Sequence, residues 1–252
     1  MKITLEIGTK PYSADLGKPF DISIPLISGS SGPKCFYAPD YIIEPVVAGN
    51  FIGSTESGSP VNFKNHFINP HGNGTHTECV GHITLAPFTI HECLREFHFV
   101  SLVISVTPET LKNGDLVITK EMIQGAIQNK ENITAVIIRT LPNDDSKLSL
   151  NYSGTNPPYF DSEAVRCIRD KNISHLITDL PSLDREVDGG ALSAHKAFWG
   201  VPDEIDPYMT VTEMVYVPNE VKDGLYLCNI QIASIMSDAS PSKVVLFELK
   251  KE

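Results

Sequence analysis

Several features that would decide a function class are missing from this chain. No apolar run approaches the roughly 18 residues that a membrane-spanning helix needs. Residues 1–10 alternate apolar and polar in the manner of a strand. They show neither an apolar stretch of signal-peptide length nor a cleavage-site pattern. Basic residues are scarce, with 20 Lys and Arg against 31 Asp and Glu and a net charge of −11. A nucleic-acid binder should carry a basic footprint, so nucleic acid is excluded as the default partner. An anionic membrane surface is disfavoured on the same ground. Cysteine is sparse and scattered: Cys35, Cys79, Cys93, Cys167 and Cys228, with no CxxC pair. A disulfide framework is therefore not expected, and a cytoplasmic location is, with the periplasm as the lesser alternative. There is no internal repeat, no low-complexity tract and no linker separating two cores. The densest loop signals, residues 28–33 and 151–158, lie between structured-looking segments. One domain over residues 1–252 is expected. A chain of this length with 41% hydrophobic and 20% charged residues can bury a real core.

What is present reads as strand-rich. Residues 20–26 alternate with period two, and Pro25 points to an edge or a strand end. Residues 100–106, 134–139 and 175–178 are short apolar runs of the buried-strand kind. Between them lie two helix candidates. One spans 119–129 with Thr119 as N-cap. The other spans 161–169, where Asp161 can cap and Ala164, Val165 and Ile168 form one stripe. Residues 210–217, 225–232 and 243–249 return to strand. The order predicts a mixed α/β, sheet-rich fold with helices covering one side.

Six of the eight histidines (His66, His71, His76, His82, His91 and His98) fall within one short stretch. Its informative part is Asn69-Pro70-His71-Gly72-Asn73-Gly74-Thr75-His76-Thr77-Glu78-Cys79-Val80-Gly81-His82. Three imidazoles and a carboxylate are the donor mixture that zinc, manganese or iron takes. His76 and Glu78 are two apart and face the same way in an extended segment, and His82 keeps the same parity. Gly72, Gly74 and Gly81 allow tight bends. The blander reading is that each histidine is an ordinary hydrogen-bonded residue. It applies to His66, His91 and His98, which lack such neighbours, and to the isolated His175. The segment is not HExxH, so helical i,i+4 logic does not apply.

The segment resembles the signature of the cyclase family, which includes the bacterial kynurenine formamidases and the isatin hydrolases. Its pattern is approximately H-x-G-T/A-H-x-D-x-P-x-H, and residues 74–82 follow the second half. Residues 56–62 (Glu-Ser-Gly-Ser-Pro-Val-Asn) are similar to a G-S-P-V-N stretch of the formamidases. Residues 20–26 are similar to an opening D-[IL]-S-x-P-[LV] strand, and residues 178–184 (Thr-Asp-Leu-Pro-Ser-Leu-Asp) to a T-D-T-P-S-[LVI]-D segment. His195 falls at the place of a later histidine ligand. Residues 211–215 resemble a strand that carries a ligand glutamate, here Glu213. The likeness runs from about residue 20 to the C-terminus.

The resemblance implies a cyclase-like swivelling β/β/α domain. It also implies a metal-dependent hydrolase of a small amide, N-formyl or lactam-like substrate. Zinc is the implied ion, with manganese as alternative, and one or two ions are bound. His71, His76 and Glu78 would hold one ion; Glu78, His195 and Glu213 would contribute to a second, with Glu213 a candidate to be shared between them. His82 matches the catalytic histidine that moves protons, a role suited to an imidazole. A bound cation would acidify water and polarise a carbonyl. Asp179 is a candidate partner for a ligand imidazole, or else a turn residue. Phe36 and Tyr37 are candidate substrate contacts, or else core aromatics, and Phe198 and Trp199 follow His195 closely enough to line a pocket. A homodimer or homotetramer is the implied assembly. Four departures stand out. His71 and His76 are five apart where the family spacing is four, which in a regular strand would flip His71 to the other face unless a bulge absorbs it. Glu78 replaces Asp, Val80 replaces Pro, and the 195–213 segment is longer than in the formamidases. Two rival readings remain open: a lyase or cyclase on the same metal scaffold, and a non-catalytic metal or ligand binder.

Overall fold

Why one sheet can bury both of its faces is clearest in its centre. A computed structural model describes residues 1–128, 130 and 132–252. Eight strands form the main sheet: β1 (Phe20–Asp21), β2 (His76–Glu78), β3 (His98–Val106), β4 (Ala135–Thr140), β5 (His175–Thr178), β6 (Thr210–Glu213), β7 (Gly224–Ile232) and β8 (Ala239–Glu248). All six residues of β4 are buried. Val136 and Ile138 lie under the helices with Leu102, Ile104 and Leu176. Ala135 and Ile137 point the other way and pack with Val103, Ile177, Cys228 and Val244. The period of two thus divides one apolar run between two cores.

Neighbouring strands run β7-β3-β4-β5-β6-β2-β8, and β8 pairs back onto β7. Seven strands therefore close a barrel-like ring, with β1 attached outside β8. Closure satisfies the backbone edges that an open sheet would expose. The run β3-β4-β5-β6 is parallel. The pairs β6/β2, β2/β8, β8/β7 and β7/β3 are antiparallel. The fold is mixed α/β and sheet-rich, as the sequence implies.

Three helices cover one face: α1 (Lys120–Ile127), α2 (Ser162–Asp170) and α3 (Ser193–Trp199). Helix α2 buries the expected stripe of Ala164, Val165 and Ile168, and the Asp161 side chain accepts the Glu163 N–H as a cap. Helix α1 starts after Thr119, whose side chain makes no cap bond. Asn129, the expected end of that helix, lies outside the described residues. Among the described residues no helix is long and apolar enough to cross a membrane.

Three differences from the sequence reading bear on the site. The expected strand over 20–26 shrinks to β1, because Thr75 Oγ1 takes the Ile24 N–H that a ladder would use. The expected strand over 210–217 stops at Glu213, because Met214 turns to φ +53° and its carbonyl accepts the Thr75 hydroxyl. Helix α3 was not foreseen. No capping side chain precedes it, and Leu192 sits in the left-handed region at its start. A separate hairpin, Ile42–Pro45 with Lys64–Phe67, stands apart from the barrel, and residues 56–62 lie in the chain that connects its two strands.

Candidate metal centre

Register decides which side chains meet. In β2 His76 and Glu78 share a face, with Thr77 on the other. His76 pairs with Glu213 and Glu78 with Val211 across the β6 ladder. Val211 belongs to the core under the helices, so His76, Glu78 and Glu213 face that side too. Thr77 points into the barrel, where its hydroxyl meets that of Thr212 at 2.8 Å. Helix α3 then brings His195 over the same spot, with Nε2 at 3.1 Å from Glu78 Oε1 and 3.6 Å from Glu213 Oε1. His76 Nε2 lies 3.4 Å from Glu213 Oε2.

His71 reaches the site from a turn. The extra residue between His71 and His76 lies outside any ladder, so it neither flips the ring nor needs a bulge. The turn is pinned by Asn side chains: Asn69 Oδ1 accepts the Gly72 N–H, and Asn73 Oδ1 accepts the Asn69 N–H. A Cβ at Gly72 would fall 2.2 Å from the Ala38 Cβ, so the loop closes only around glycine. His71 Nδ1 ends 2.9 Å from Glu78 Oε2, and its Nε2 is 2.9 Å from Asp238 Oδ2. His82 follows β2 in a short 3-10 turn, with Nδ1 at 3.9 Å from Glu78 Oε2 and 3.5 Å from Asp238 Oδ2. Its ring stacks on that of His71 with centroids 4.3 Å apart.

The site therefore has a buried side and an open one. His76, Glu78, His195 and Glu213 have side chains at most 5% exposed, whereas His71 and His82 stand at 26% and 32%. Electrostatics follow. Burial alone would raise Glu78, but the neighbouring His82, His195 and His71 hold its carboxyl well below the usual range. Burial works against a charge on His195 as well, yet Asp184, Glu213 and Glu78 hold it well above the ordinary imidazole value. His71 is likewise opposed by burial and carried up to about 10 by Asp238 and Glu78.

Whether these residues suit a cation can be tested on one atom. His76 Nε2 is buried and has no hydrogen-bond partner, while its Nδ1 is occupied by the Gly74 carbonyl at 3.0 Å. A buried orphan nitrogen beside two carboxylates is what a metal ligand leaves when the ion is left out. Among the described residues two groups offer ligand atoms within 4.8 Å of one another: His76, Glu78 and Glu213; and His71, Glu78 and His82. Imidazole nitrogen with carboxylate oxygen suits zinc or manganese. The donors fit a divalent cation. In the first group His76 stands with Glu213 and in the second His71 with His82, and Glu78 belongs to both.

The sequence model of the family described as "Putative cyclase" matches residues 14–185. The chain belongs to this cyclase family. No curated protein matches it. Solved structures with the same fold include a predicted metal-dependent hydrolase from Bacillus stearothermophilus, at 18% identity and TM-score 0.63, covering 91% of this chain and 98% of that one. Isatin hydrolase A from Labrenzia aggregata, bound to benzyl benzoate, aligns at 15% identity and TM-score 0.63 over 91% of this chain and 93% of its own. An isatin hydrolase bound to the product analogue thioisatinate aligns at 13% identity and TM-score 0.60, over 93% and 94%.

Other residues singled out from the cyclase-family pattern fall as follows. Asp179 is fully buried, but it bonds the Thr140 N–H and hydroxyl and the Lys147 ammonium, not an imidazole. The carboxylate that holds an imidazole of the centre is Asp184, at the end of the same segment. Its Oδ2 is 2.6 Å from His195 Nδ1, and its two oxygens also accept the N–H groups of Ala194 and His195. One side chain thus caps α3 and orients its histidine, which explains a helix with no local cap. Asp184 lay within a motif already noted; Asp238, far along the chain, carried no local signal. Phe36 and Tyr37 are exposed, with φ near +50°, and border a shallow groove with Gly154, Arg185 and Glu186. Phe36 also adjoins Ser182 and Asp184. Phe198 and Trp199 are core residues, and Trp199 donates to the Met209 carbonyl. His66 pairs with Tyr41, His98 with Asn229 and His175 with Thr210, all away from the centre.

Proposed function

We propose that the chain is a metal-dependent hydrolase of a small amide, N-formyl or cyclic amide (lactam-like) substrate. In this reading zinc is the cation, with manganese as the alternative, and the working form is a cytoplasmic homodimer or homotetramer. The observation that carries the proposal is the position of Glu78. Its Oε1 lies by His195 in the buried group and its Oε2 by His71 and His82 in the open group. A carboxylate shared in this way links a closed ligand set to a face that a substrate can reach.

A divalent cation held by His76, Glu78, Glu213 and His195, with His71 on the open side, would acidify water and polarise the scissile carbonyl. The chain's own groups supply the rest. Asp184 and the Gly74 carbonyl hold the outward nitrogens of His195 and His76, leaving Nε2 of each facing the centre. Trp199 lies against the His195 ring at 5.3 Å between centroids and keeps water from that side. His82 is exposed beside the carboxylates. It accepts a proton from the attacking water and delivers it to the leaving nitrogen, a role that needs access from solvent and a nearby negative charge.

The test is a panel of N-formyl anilines, isatin-like lactams and simple esters, run with zinc- and with manganese-loaded protein in oxygen-18 water. Hydrolysis with one labelled oxygen in the carboxyl product supports the proposal. Turnover without label would assign a lyase or cyclase instead. Bound metal with no turnover across the panel would leave a metal-binding protein and end the hydrolase reading.

A further inference from the structure

The imidazoles that face this centre need their outward nitrogens held, since a free ring can present either nitrogen to a metal. Two are held by means already described: His76 by the Gly74 carbonyl and His195 by Asp184. His71 lacks both. It lies in a turn, so no strand register fixes its ring.

Asp238 stands where that partner is needed. Its Oδ2 is 2.9 Å from His71 Nε2 and 3.5 Å from His82 Nδ1. The aspartate is itself fixed from three directions. Its backbone carbonyl accepts the Cys79 N–H at 3.0 Å, immediately after the ligand strand. The Ser237 hydroxyl donates to its Oδ1 at 2.9 Å. Ala239, the next residue, pairs with Glu78 in the β2/β8 ladder. The carboxylate is thus aimed by the same strand pairing that aims Glu78. A merely solvated aspartate would not lie against two stacked imidazoles.

We infer that Asp238 is a positioning residue serving both histidines. It holds the proton on His71 Nε2, so that Nδ1 is the atom turned to Glu78 and the metal. It also accepts from His82 Nδ1–H, which leaves His82 Nε2 as the nitrogen that exchanges a proton with substrate. The inference rests on the hydrolase reading only for the His82 half; the His71 half concerns metal binding alone. Asp238 is not itself placed among the ligands, because its near oxygen lies on the far nitrogen of His71 from Glu78.

The experiment uses the full chain, with zinc as the probe, in Asp238→Asn, Asp238→Ala and Ser237→Ala. Zinc affinity and stoichiometry are read by chelator competition, and nitrogen-15 spectra of the zinc-loaded protein report which nitrogen of His71 is metallated. The wild type should show zinc on Nδ1 and a proton on Nε2. Both Asp238 variants should bind the same number of ions about 10- to 100-fold more weakly, and Ser237→Ala should shift the same way by less. For a substrate found in the panel above, kcat should fall with KM little changed. Unaltered affinity and spectra in both Asp238 variants would overturn the inference. Loss of a whole zinc equivalent would overturn it differently, by making Asp238 a ligand. If no substrate is found, the zinc and nitrogen-15 results still decide the His71 half, so a failure of the hydrolase reading remains distinguishable.

Discussion

The two sides of the centre are built by different means. On the buried side the candidate donors ride on regular elements: His76 and Glu78 on a strand bonded along both edges, Glu213 at the end of the next strand, and His195 on a helix capped by Asp184. On the open side His71 comes from a turn, His82 from a single 3-10 turn, and Asp238 from the residue before a strand. The first side is carried by regular elements, the second by turns whose side chains meet at Asp238. Affinity for the cation should therefore reside mainly in the buried group, and the timing of proton transfer in the open one.

Breaking the buried side should have the largest effect. Glu78→Gln removes the charge shared by both groups, and kcat/KM should fall by about a thousandfold or more, the scale of losing several kcal/mol of charge stabilisation. Zinc should be lost with it; a variant that keeps wild-type metal content and activity would show that the sharing does not matter. Next comes His82→Ala, which should keep the metal and lose about 10²- to 10⁴-fold in kcat. Loss of metal by atomic absorption would move His82 to the ligands. Asp184→Asn should weaken zinc binding by about 10- to 100-fold, and it should also loosen α3, read as faster amide exchange at Ala194 and His195. His71→Ala should cost less metal affinity than His76→Ala. Equal losses in the two would abolish the distinction between the sides.

The smallest expected effect is a pH dependence of the metal-free protein. Hydrogen bonds to Asp238 and Glu78 outweigh burial and hold His71 up at about 10. A histidine raised in this way adds stability that is complete below its unfolded value of about 6.5 and drains as pH rises through the folded one. The urea midpoint of metal-free protein should thus decline between neutrality and about pH 10, and less so in His71→Ala. Identical slopes for both proteins would refute the assignment. Zinc competes with that proton, so its apparent affinity should rise over the same range.

How much of this was legible in sequence follows from the same contrast. Strands β3, β4 and β5 announced themselves as continuous apolar runs, because both of their faces meet a core, and helix α2 through its apolar stripe. The pairing of His76 with Glu78 was readable as two-residue parity. Helix α3 was not readable, since its N–H groups are satisfied by Asp184 from across a loop and no local cap marks its start. The reading of Asp179 as partner of an imidazole failed for a related reason, with Asp184 in the same segment taking that place. Both are acids in one short segment, and only the fold shows that the first faces Lys147 and the second faces His195. Asp238 lies 167 positions from His71, beyond the reach of any spacing rule.

Strand β2 has a consequence for how such a chain can vary. It is three residues long, carries two of the donors, and is locked in register against β6 and β8 at once. Slipping it by one position would exchange His76 and Glu78 for Thr77 and unpair both neighbours together. An insertion there would break both ladders, whereas the turn at His71 a few residues earlier belongs to no ladder. The barrel seam thus acts as a ruler for the donors on β2, a constraint that the turn carrying His71 does not share.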